Sequence, residues 1–538
     1  LTAETGLAAE TSLTTESGLT AETGLTTETG LTTETGLTAE TGLAAETRMM
    51  TDFMDLKTLF DEAPATAGAV SVSGITADSR RVAPGFVFAA LAGSVAHGRD
   101  YVRAAIERGA VAILSAGDLG FDPGAPEIIA KEPRLALAIA ASRFYPRQPA
   151  IIAAVTGTNG KSSTVDFLRQ IWAHAGARAA SLGTLGAIGP ADLPGGGVMD
   201  LGHTTPDPVA IHHTLQTLAD HGVTHAAMEA SSHGLHQRRL DGVRLSVAAF
   251  TNLTQDHLDY HGTMDAYREA KLALWDRIEK GQPAVINADA AAAPAFEARA
   301  RERGLHVIPC GWRADGDGLK IVELMPRANG QRLTLRWRGH EYDVDLPLIG
   351  EFQALNAVTA AAMALASGSA PAAVFAAMAT LKPVNGRIED VGATRDGAHV
   401  FVDYAHTPDG LDVLLRAARP HAPGRVVLVF GCGGDRDRAK RAQMGAIAAK
   451  YADVVIVTDD NPRSEEPASI RAEILCACPG AQEIGDRAAA IKTAVAALRA
   501  GDALLIAGKG HETGQIVKGV TYPFSDQEVA RAALAEAQ

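Results

Sequence analysis

The run Gly157-Thr158-Asn159-Gly160-Lys161-Ser162-Ser163 has the residue types that hold a polyphosphate. Backbone N–H groups of a glycine-bearing turn wrap the phosphate oxygens, the lysine ammonium sits on the terminal phosphates, and a hydroxyl reaches Mg²⁺. The widespread phosphate-loop pattern has one more glycine ahead of the Gly-Lys pair. That place is Val155 here, and Gly157 supplies the turn later, which makes this a shortened variant. Two polar clusters could join the same chemistry. Glu229 closes an apolar stretch and runs into Ala230-Ser231-Ser232-His233, and Phe250 leads into Asn252 and then Asp256-His257-Leu258-Asp259-Tyr260-His261. A carboxylate at a strand end suits a hard divalent cation, although either cluster could equally serve only to cap loops. Lys271, alone on its helix, reads as a solvated side chain.

The elements that must position these groups follow from apolar spacing. Residues 151–155 form a continuous apolar run, a buried strand, and residues 165–173 carry apolar side chains at helical spacing, so the loop joins a strand to a helix. Residues 224–229 read as a strand, 264–279 as a helix, 333–346 as a hairpin and 352–366 as an alanine-rich helix. Upstream, a helix over 52–59, strands over 86–91 and 111–114, and helices over 101–108 and 134–145 make a small α/β unit. In that unit Asp78-Ser79-Arg80 reads as a capped loop before a turn. Pro146 and Pro149 break the chain before the phosphate-loop strand, and a domain boundary is placed there. In the last third, strands over 426–430, 454–458 and 503–507 alternate with helices over 440–450, 470–476 and 488–499, a doubly wound α/β pattern. Each of these strands delivers a polar loop at its carboxyl end: GCGGDRDR, DDNPR and GKGHE.

With 538 residues, 46% hydrophobic and 21% charged, the chain has material for several ordinary cores. No stretch is long and apolar enough for a membrane span, and the start lacks the pattern of a signal peptide. Four scattered cysteines, Cys310, Cys432, Cys476 and Cys478, suit a reducing cytoplasm better than a disulfide framework. Residues 1–48 are eight copies of a hexapeptide that begins Leu-Thr-Ala-Glu-Thr-Gly. One leucine in six cannot make a continuous apolar face, so this tail is expected to be disordered, and a hexapeptide β-helix lacks the larger core residues it needs. Met49 or Met50 is a candidate start of the folded protein. The tail holds eight Glu against one Arg and so carries half of the formal charge of −14. The mildly acidic remainder argues against a nucleic-acid surface.

Eleven motifs occur in order across residues 157–512: GTNGKSS, TTPD, MEASSHGLHQRRL, NLTQDHLDYHG, YREAK, GEFQALN, NGRIE, DYAHTPD, GCGGDRDRAKR, DNPR and GKGHE. Together with ADSRRVAPGFVFAALAG in the first domain, this set resembles the Mur ligases. Within that family it is most similar to the branch that adds meso-2,6-diaminopimelate to UDP-N-acetylmuramoyl-L-alanyl-D-glutamate. The resemblance implies a three-domain α/β architecture, with a central P-loop nucleotide-binding domain and a C-terminal doubly wound domain. The boundaries are then a tail over 1–48, a UDP-binding domain over 49–148, an ATP-binding domain over 149–382 and an amino-acid-binding domain over 383–538.

The resemblance also implies roles. Ala77, Ser79, Ser94, Val95 and Ala96 would hold the uridine end, and Thr204, Thr205, Ser231, Gln237 and Arg239 the muramoyl-peptide. Gly157 to Ser163, Asn356, Arg387 and Asp403 would bind ATP. Ser162, Glu229, His257 and a carbamylated Lys271 would organise Mg²⁺, and Lys161, Glu229, His257 and Lys271 would form the catalytic group. Arg436, Asp460, Asn461, Pro462, Arg463, Gly508 and Glu512 would take diaminopimelate, with Arg463 facing its distal carboxylate. One departure is Gln353, where many relatives have Asn. The implied chemistry is phosphoryl transfer from ATP to the D-Glu carboxylate, followed by amine attack on the acyl phosphate, in a cytoplasmic monomer that serves peptidoglycan synthesis. A lysine-adding ligase, a folylpolyglutamate synthase and a non-catalytic scaffold are the alternatives. DNPR and the first-domain motif count against the first two, and the intact Lys161, Glu229, His257 and Lys271 against the third.

Overall fold

A computed structural model describes residues 53–93, 97–117 and 119–537. The repeat tail, both candidate start methionines and the expected uridine-binding residues Ser94, Val95 and Ala96 lie outside the described residues. The chain divides into two compact units, one ending at Phe144 and the other beginning at Tyr145.

In the first unit the strands Gly74–Thr76, Phe86–Ala89, Ala110–Ser115 and Glu127–Ile129 form a parallel sheet in chain order. Phe88, Ile113 and the helix residue Val102 pack in its core. The expected helix over 52–59 is shorter than its pattern suggests. Met54–Asp55 pairs as a strand with Ser71–Val72, and only Leu56–Leu59 is helical. The Leu56 and Lys57 amides donate to the Val70 and Gly68 carbonyls, so the turn leading into Ser71–Val72 has taken the backbone groups a longer helix would use.

The second unit holds an eleven-stranded sheet. Its parallel centre runs Ala179–Gly183, His225–Glu229, Ile151–Thr156, Val247–Phe250, Pro283–Asn287. Side chains alternate across the phosphate-loop strand. Ala153 and Val155 join the core with Phe167 and Trp172 on one face, while Ile152 and Ala154 join Ile211, Leu215 and Trp275 on the other. A strand covered on both faces is expected to be apolar, as residues 151–155 are, and the buried Thr156 at its end donates its hydroxyl to the Ala230 carbonyl at 2.8 Å. The phosphate-loop strand lies between the strands that end at Glu229 and Phe250, so three polar loops open at one edge of the sheet.

The expected helix over 264–279 stops at Leu272 and continues as the 3-10 turn Trp275–Arg277. Trp275 is fully buried and its indole N–H donates to the Phe296 carbonyl at 3.0 Å, which draws the chain off the helical path into the core.

A separate six-stranded sheet follows, ordered Glu389–Ala393, His399–Asp403, Ala503–Ala507, Val426–Phe430, Val454–Val457, Gln482–Glu483. All its pairings are parallel except the first. Apolar clusters cover both faces. Three loops leave its centre at the carboxyl ends, where a parallel sheet places ligands. Among the described residues no helix is long and apolar enough to cross a membrane.

Candidate active site

The phosphate loop is held open by its neighbours. Gly157 and Gly160 have φ of 148° and 86°, conformations that only glycine adopts without strain. A Cβ on Gly157 would stand 2.0 Å from Thr251 Oγ1, and one on Gly160 would stand 2.3 Å from Asn356 Oδ1. Behind the loop, Thr251 Oγ1 donates to the Asn159 carbonyl at 2.7 Å, and Asn252 Oδ1 accepts from the Asn159 amide at 3.0 Å. Neighbouring segments therefore hold the loop backbone in place.

Lys161 opens the helix Lys161–His174, and its ammonium donates to the Gly157 and Thr158 carbonyls at 3.1 and 2.9 Å. Burial lowers its pKa, against the opposing pull of the Glu229 and Asp256 carboxylates. The adjacent hydroxyl, Ser162 Oγ, donates to Glu229 Oε2 at 2.6 Å. Glu229 is buried, and its other oxygen accepts from the Thr184 amide at 2.5 Å and hydroxyl at 3.0 Å. Gly183 permits this approach, because a Cβ there would fall 2.0 Å from Glu229 Oε1.

Lys271 overturns the expectation of a solvated lysine. It is 1% exposed, it donates to the Gly157 carbonyl at 2.6 Å, and its ammonium lies 4.5 Å from the centre of the Tyr267 ring. Burial and the nearby Lys161 push its pKa down to about 6, with Asp256 opposing. His257 takes a positive φ of 53°, and its ring lies 3.4 Å from Asp256 and 4.9 Å, centre to centre, from His233. The structure thus joins Ser162 directly to Glu229 and sets Lys271 against the loop backbone, while the half-exposed His257 faces the Tyr267 ring that Lys271 also faces, at 6.1 Å between ring centres. Among the described residues no three His, Cys, Asp or Glu side chains form a ready metal cage. The paired Ser162 and Glu229 oxygens fit a hard cation that keeps waters and draws its other ligands from phosphate, while the helix N-terminus favours the phosphate anions themselves.

The residues expected to hold the muramoyl-peptide form one hydrogen-bonded chain. Thr204 and Thr184 hydroxyls meet at 3.0 Å, Thr205 Oγ1 donates to the Glu229 carbonyl at 3.0 Å, and Arg239 donates to the Thr205 carbonyl at 2.5 Å and to Gln237 at 2.9 Å. Gln237 continues the chain to the Tyr260 hydroxyl at 3.0 Å, and Ser231 caps the next short helix by accepting from the Gly234 amide. In the first unit, Ala77 is exposed, and Ser79 opens a one-turn 3-10 helix that Asp78 caps while paired with Arg80.

Gln353 uses both ends of its amide. It accepts from Asn356 at 3.0 Å and donates to the Arg387 carbonyl at 3.3 Å, tying together two residues expected near the nucleotide. Asp403 accepts from the Ile388 and Ala405 amides at 2.8 and 2.7 Å, yet burial raises its pKa to about 6. The Arg387 guanidinium covers the Tyr404 ring at 4.9 Å.

At the carboxyl ends of the second sheet lies a cavity of about 540 Å³, and Arg436, Asp460, Asn461, Arg463, Gly508 and Glu512 all line it. The loops interlock through glycine. A Cβ on Gly434 would stand 2.0 Å from the Pro462 carbonyl, and one on Gly433 would stand 2.7 Å from Arg463 Nη1. Arg463 holds a φ of 54° because its backbone is clamped by the hairpin Gly514–Val517 and Val520–Pro523: its N–H donates to Ile516 O at 3.0 Å and its carbonyl accepts from Lys518 at 2.6 Å. Its Nη1 donates to the Gly434 carbonyl at 2.9 Å, which leaves the remaining guanidinium edge for a ligand. Glu512 accepts from Asn461 Nδ2 at 2.8 Å.

Sequence reasoning missed Thr184, Tyr267 and Lys509 as parts of these sites. The first follows a strand and could have been found as one more strand-end hydroxyl, whereas the other two stand inside the YREAK and GKGHE motifs, where only their burial shows that they belong to the site.

Three family models cover most of the folded chain: the Mur ligase family catalytic domain at residues 71–153, the Mur ligase middle domain at 155–364, and the Mur ligase glutamate ligase domain at 386–510. The UDP-N-acetylmuramoyl-L-alanyl-D-glutamate--2,6-diaminopimelate ligase of Agrobacterium fabrum is 52% identical over 471 residues, 87% of this chain and 94% of that protein. Its counterpart in Caulobacter vibrioides is 51% identical over 476 residues, 88% of this chain and 96% of that protein. A solved structure of an enzyme of the same name superposes with a TM-score of 0.71 at 33% identity, covering 90% of this chain and 99% of the other. With phosphate loop, buried strand-end glutamate and acceptor cavity all in place, the chain belongs to the Mur ligase family, in its MurE branch.

Proposed function

We propose that the protein joins meso-2,6-diaminopimelate to UDP-N-acetylmuramoyl-L-alanyl-D-glutamate with cleavage of ATP to ADP and phosphate, as a cytoplasmic step of peptidoglycan synthesis. Its parts are a uridine-binding domain over 49–148, an ATP-binding domain over 149–382 and an amino-acid domain over 383–538. The observation that carries the reading is the cavity in which Arg463 and Glu512 face one space. Diaminopimelate differs from lysine by a carboxylate on the far carbon, and a guanidinium edge binds a carboxylate by two parallel hydrogen bonds. Glu512 suits the ammonium on that same carbon.

The chemistry follows from charge. A carboxylate is a poor acceptor for an amine until it carries a leaving group. The D-Glu carboxylate attacks the γ-phosphorus of ATP, ADP leaves, and the acyl phosphate then takes the amine and expels phosphate. Lys161 and the helix N-terminus offset the negative charge that spreads over the transferring group. Thr204, Thr205, Gln237 and Arg239 hold the peptide, and Asn356, Arg387 and Asp403 hold the nucleoside. Mg²⁺ held by Ser162, Glu229 and His257, with a carbamylated Lys271 as support, would screen phosphate against carboxylate. Gly157, Thr158, Asn159, Gly160 and Ser163 supply the phosphate cradle itself.

Phosphate release measured with ATP, the UDP-muramoyl-dipeptide and a panel of amino acids tests the reading. Diaminopimelate is expected to support turnover well above lysine. Arg463→Ala is expected to lower kcat/KM for diaminopimelate by roughly 10- to 150-fold, the equivalent of about 1.5 to 3 kcal/mol for a charged hydrogen bond. Unchanged kinetics in that variant would remove the substrate assignment.

A further inference from the structure

Lys509 is wholly buried directly beneath the acceptor cavity. It follows the strand Ala503–Ala507, whereas Asp460 and Asn461 follow Val454–Val457, two strands away across Val426–Phe430. Its ammonium spans that gap. It lies 3.7 Å from Asp460 Oδ1, 3.2 Å from Asn461 Oδ1 and 3.4 Å from Glu512 Oε1. Gly508 lets the chain pass this close, since a Cβ there would stand 2.4 Å from Asp460 Oδ2. Asn461 Oδ1 also accepts from the Ile516 amide at 2.8 Å, so the same contact reaches the hairpin that clamps Arg463.

Two carboxylates therefore share the Lys509 ammonium, and the one other buried cation near them among the described residues, the Arg487 guanidinium, is already matched by the Asp526 carboxylate at 2.7 Å. Were both uncompensated, the inner wall of the cavity would be doubly negative, attracting any bare ammonium and repelling a carboxylate placed beside it. With Lys509 in place, the pair carries a single net negative charge, which matches one ammonium and leaves Arg463 to hold the carboxylate. We propose that Lys509 is a positioning residue that sets the charge of this cavity, so that an amino acid whose far carbon bears both an ammonium and a carboxylate is selected over one bearing an ammonium alone. The proposal rests on the substrate reading above and adds to it the group that makes Glu512 selective.

A residue that only braced the fold would change the use of both amino acids in parallel, so the ratio of kcat/KM for diaminopimelate to that for lysine is the readout. It is measured on the full chain for wild type, Lys509→Met and Asp460→Asn. Lys509→Met is expected to lower the ratio by about tenfold or more, a modest share of what one uncompensated charge is worth at these separations. Asp460→Asn leaves Lys509 facing Glu512 alone and is expected to raise the ratio. Opposite directions in the two variants support the proposal. Parallel losses in Lys509→Met, or a ratio that stays level or falls in Asp460→Asn, overturn it. If thermal melting shows that Lys509→Met does not fold, Asp460→Asn decides alone. The wild-type ratio tests the substrate reading separately: no preference there defeats both, whereas a clear preference with parallel losses defeats this proposal only.

Discussion

Lys271 is expected to carry CO₂, and the structure sets how strongly pH controls it. Burial and the Lys161 ammonium push its pKa to about 6, against 10.5 for an ordinary lysine. At about pH 7.5 the neutral amine then outnumbers the ammonium by about 30 to 1, while an exposed lysine is neutral in roughly one molecule per thousand. Only the neutral form has a lone pair for CO₂. A nitrogen–carbon bond forms, one carbon–oxygen π pair moves onto oxygen, and a proton leaves to solvent. Burial thus raises the reactive fraction about a thousandfold. The product replaces a neutral amine by an anion near the Lys161 ammonium, so an attraction arises where a protonated Lys271 would have met a repulsion.

The assay is ¹³C NMR of protein equilibrated with labelled bicarbonate, run beside ligase activity in CO₂-depleted and resupplied buffer. A carbamate resonance is expected in wild type and not in Lys271→Met, with activity lost on depletion and restored by bicarbonate. Occupancy is expected to fall as pH drops through about 6. No resonance in wild type, or a midpoint near that of an exposed lysine, would refute the reasoning. The same shift has a stability sign. Between about 6 and 10.5 the unfolded chain binds one more proton than the folded chain, so the cost of burying Lys271 shrinks as pH rises across that window.

Two further outcomes follow from the geometry. Gly160→Ala places a side chain at a φ of 86° with its Cβ 2.3 Å from Asn356 Oδ1, so calorimetry with a non-hydrolysable ATP analogue is expected to show binding weakened by about tenfold or more, from the left-handed cost of about 1 to 2 kcal/mol alone. His212 is fully buried, donates to the Asp241 carbonyl at 3.1 Å, and has its pKa pushed down from 6.5 to about 4 by burial. The unfolded chain takes up that proton first, so stability held above about pH 6.5 is lost toward pH 4, up to about 3 kcal/mol. Urea unfolding across that range is expected to show a shallower acid loss in His212→Gln.

Much of the site was legible because each of its parts is local. The strand, glycine turn and helix around Lys161 are contiguous, and the three loops of the last sheet each follow an apolar run whose period marks a buried strand. Lys271 was legible only through the resemblance: on its own helix a lysine on an amphipathic pattern looks solvated until the phosphate loop, over a hundred residues earlier, is folded against it. Trp275 ended its helix early because it met Phe296, and Met54–Asp55 became a strand because residues beyond it in the chain offered a partner. Neither event leaves a trace in propensity.

The order of motifs along the chain was enough to identify the family and its ligase chemistry and to propose the residue types at the acceptor end, since side-chain chemistry and short-range spacing survive in one dimension. Burial and charge balance needed the folded chain. Whether a lysine is an exposed cation, a neutral amine near Lys161 or an internal counter-ion to Asp460 and Glu512 depends on what distant segments place within a few ångströms, because desolvation and Coulomb energy depend on distance through space.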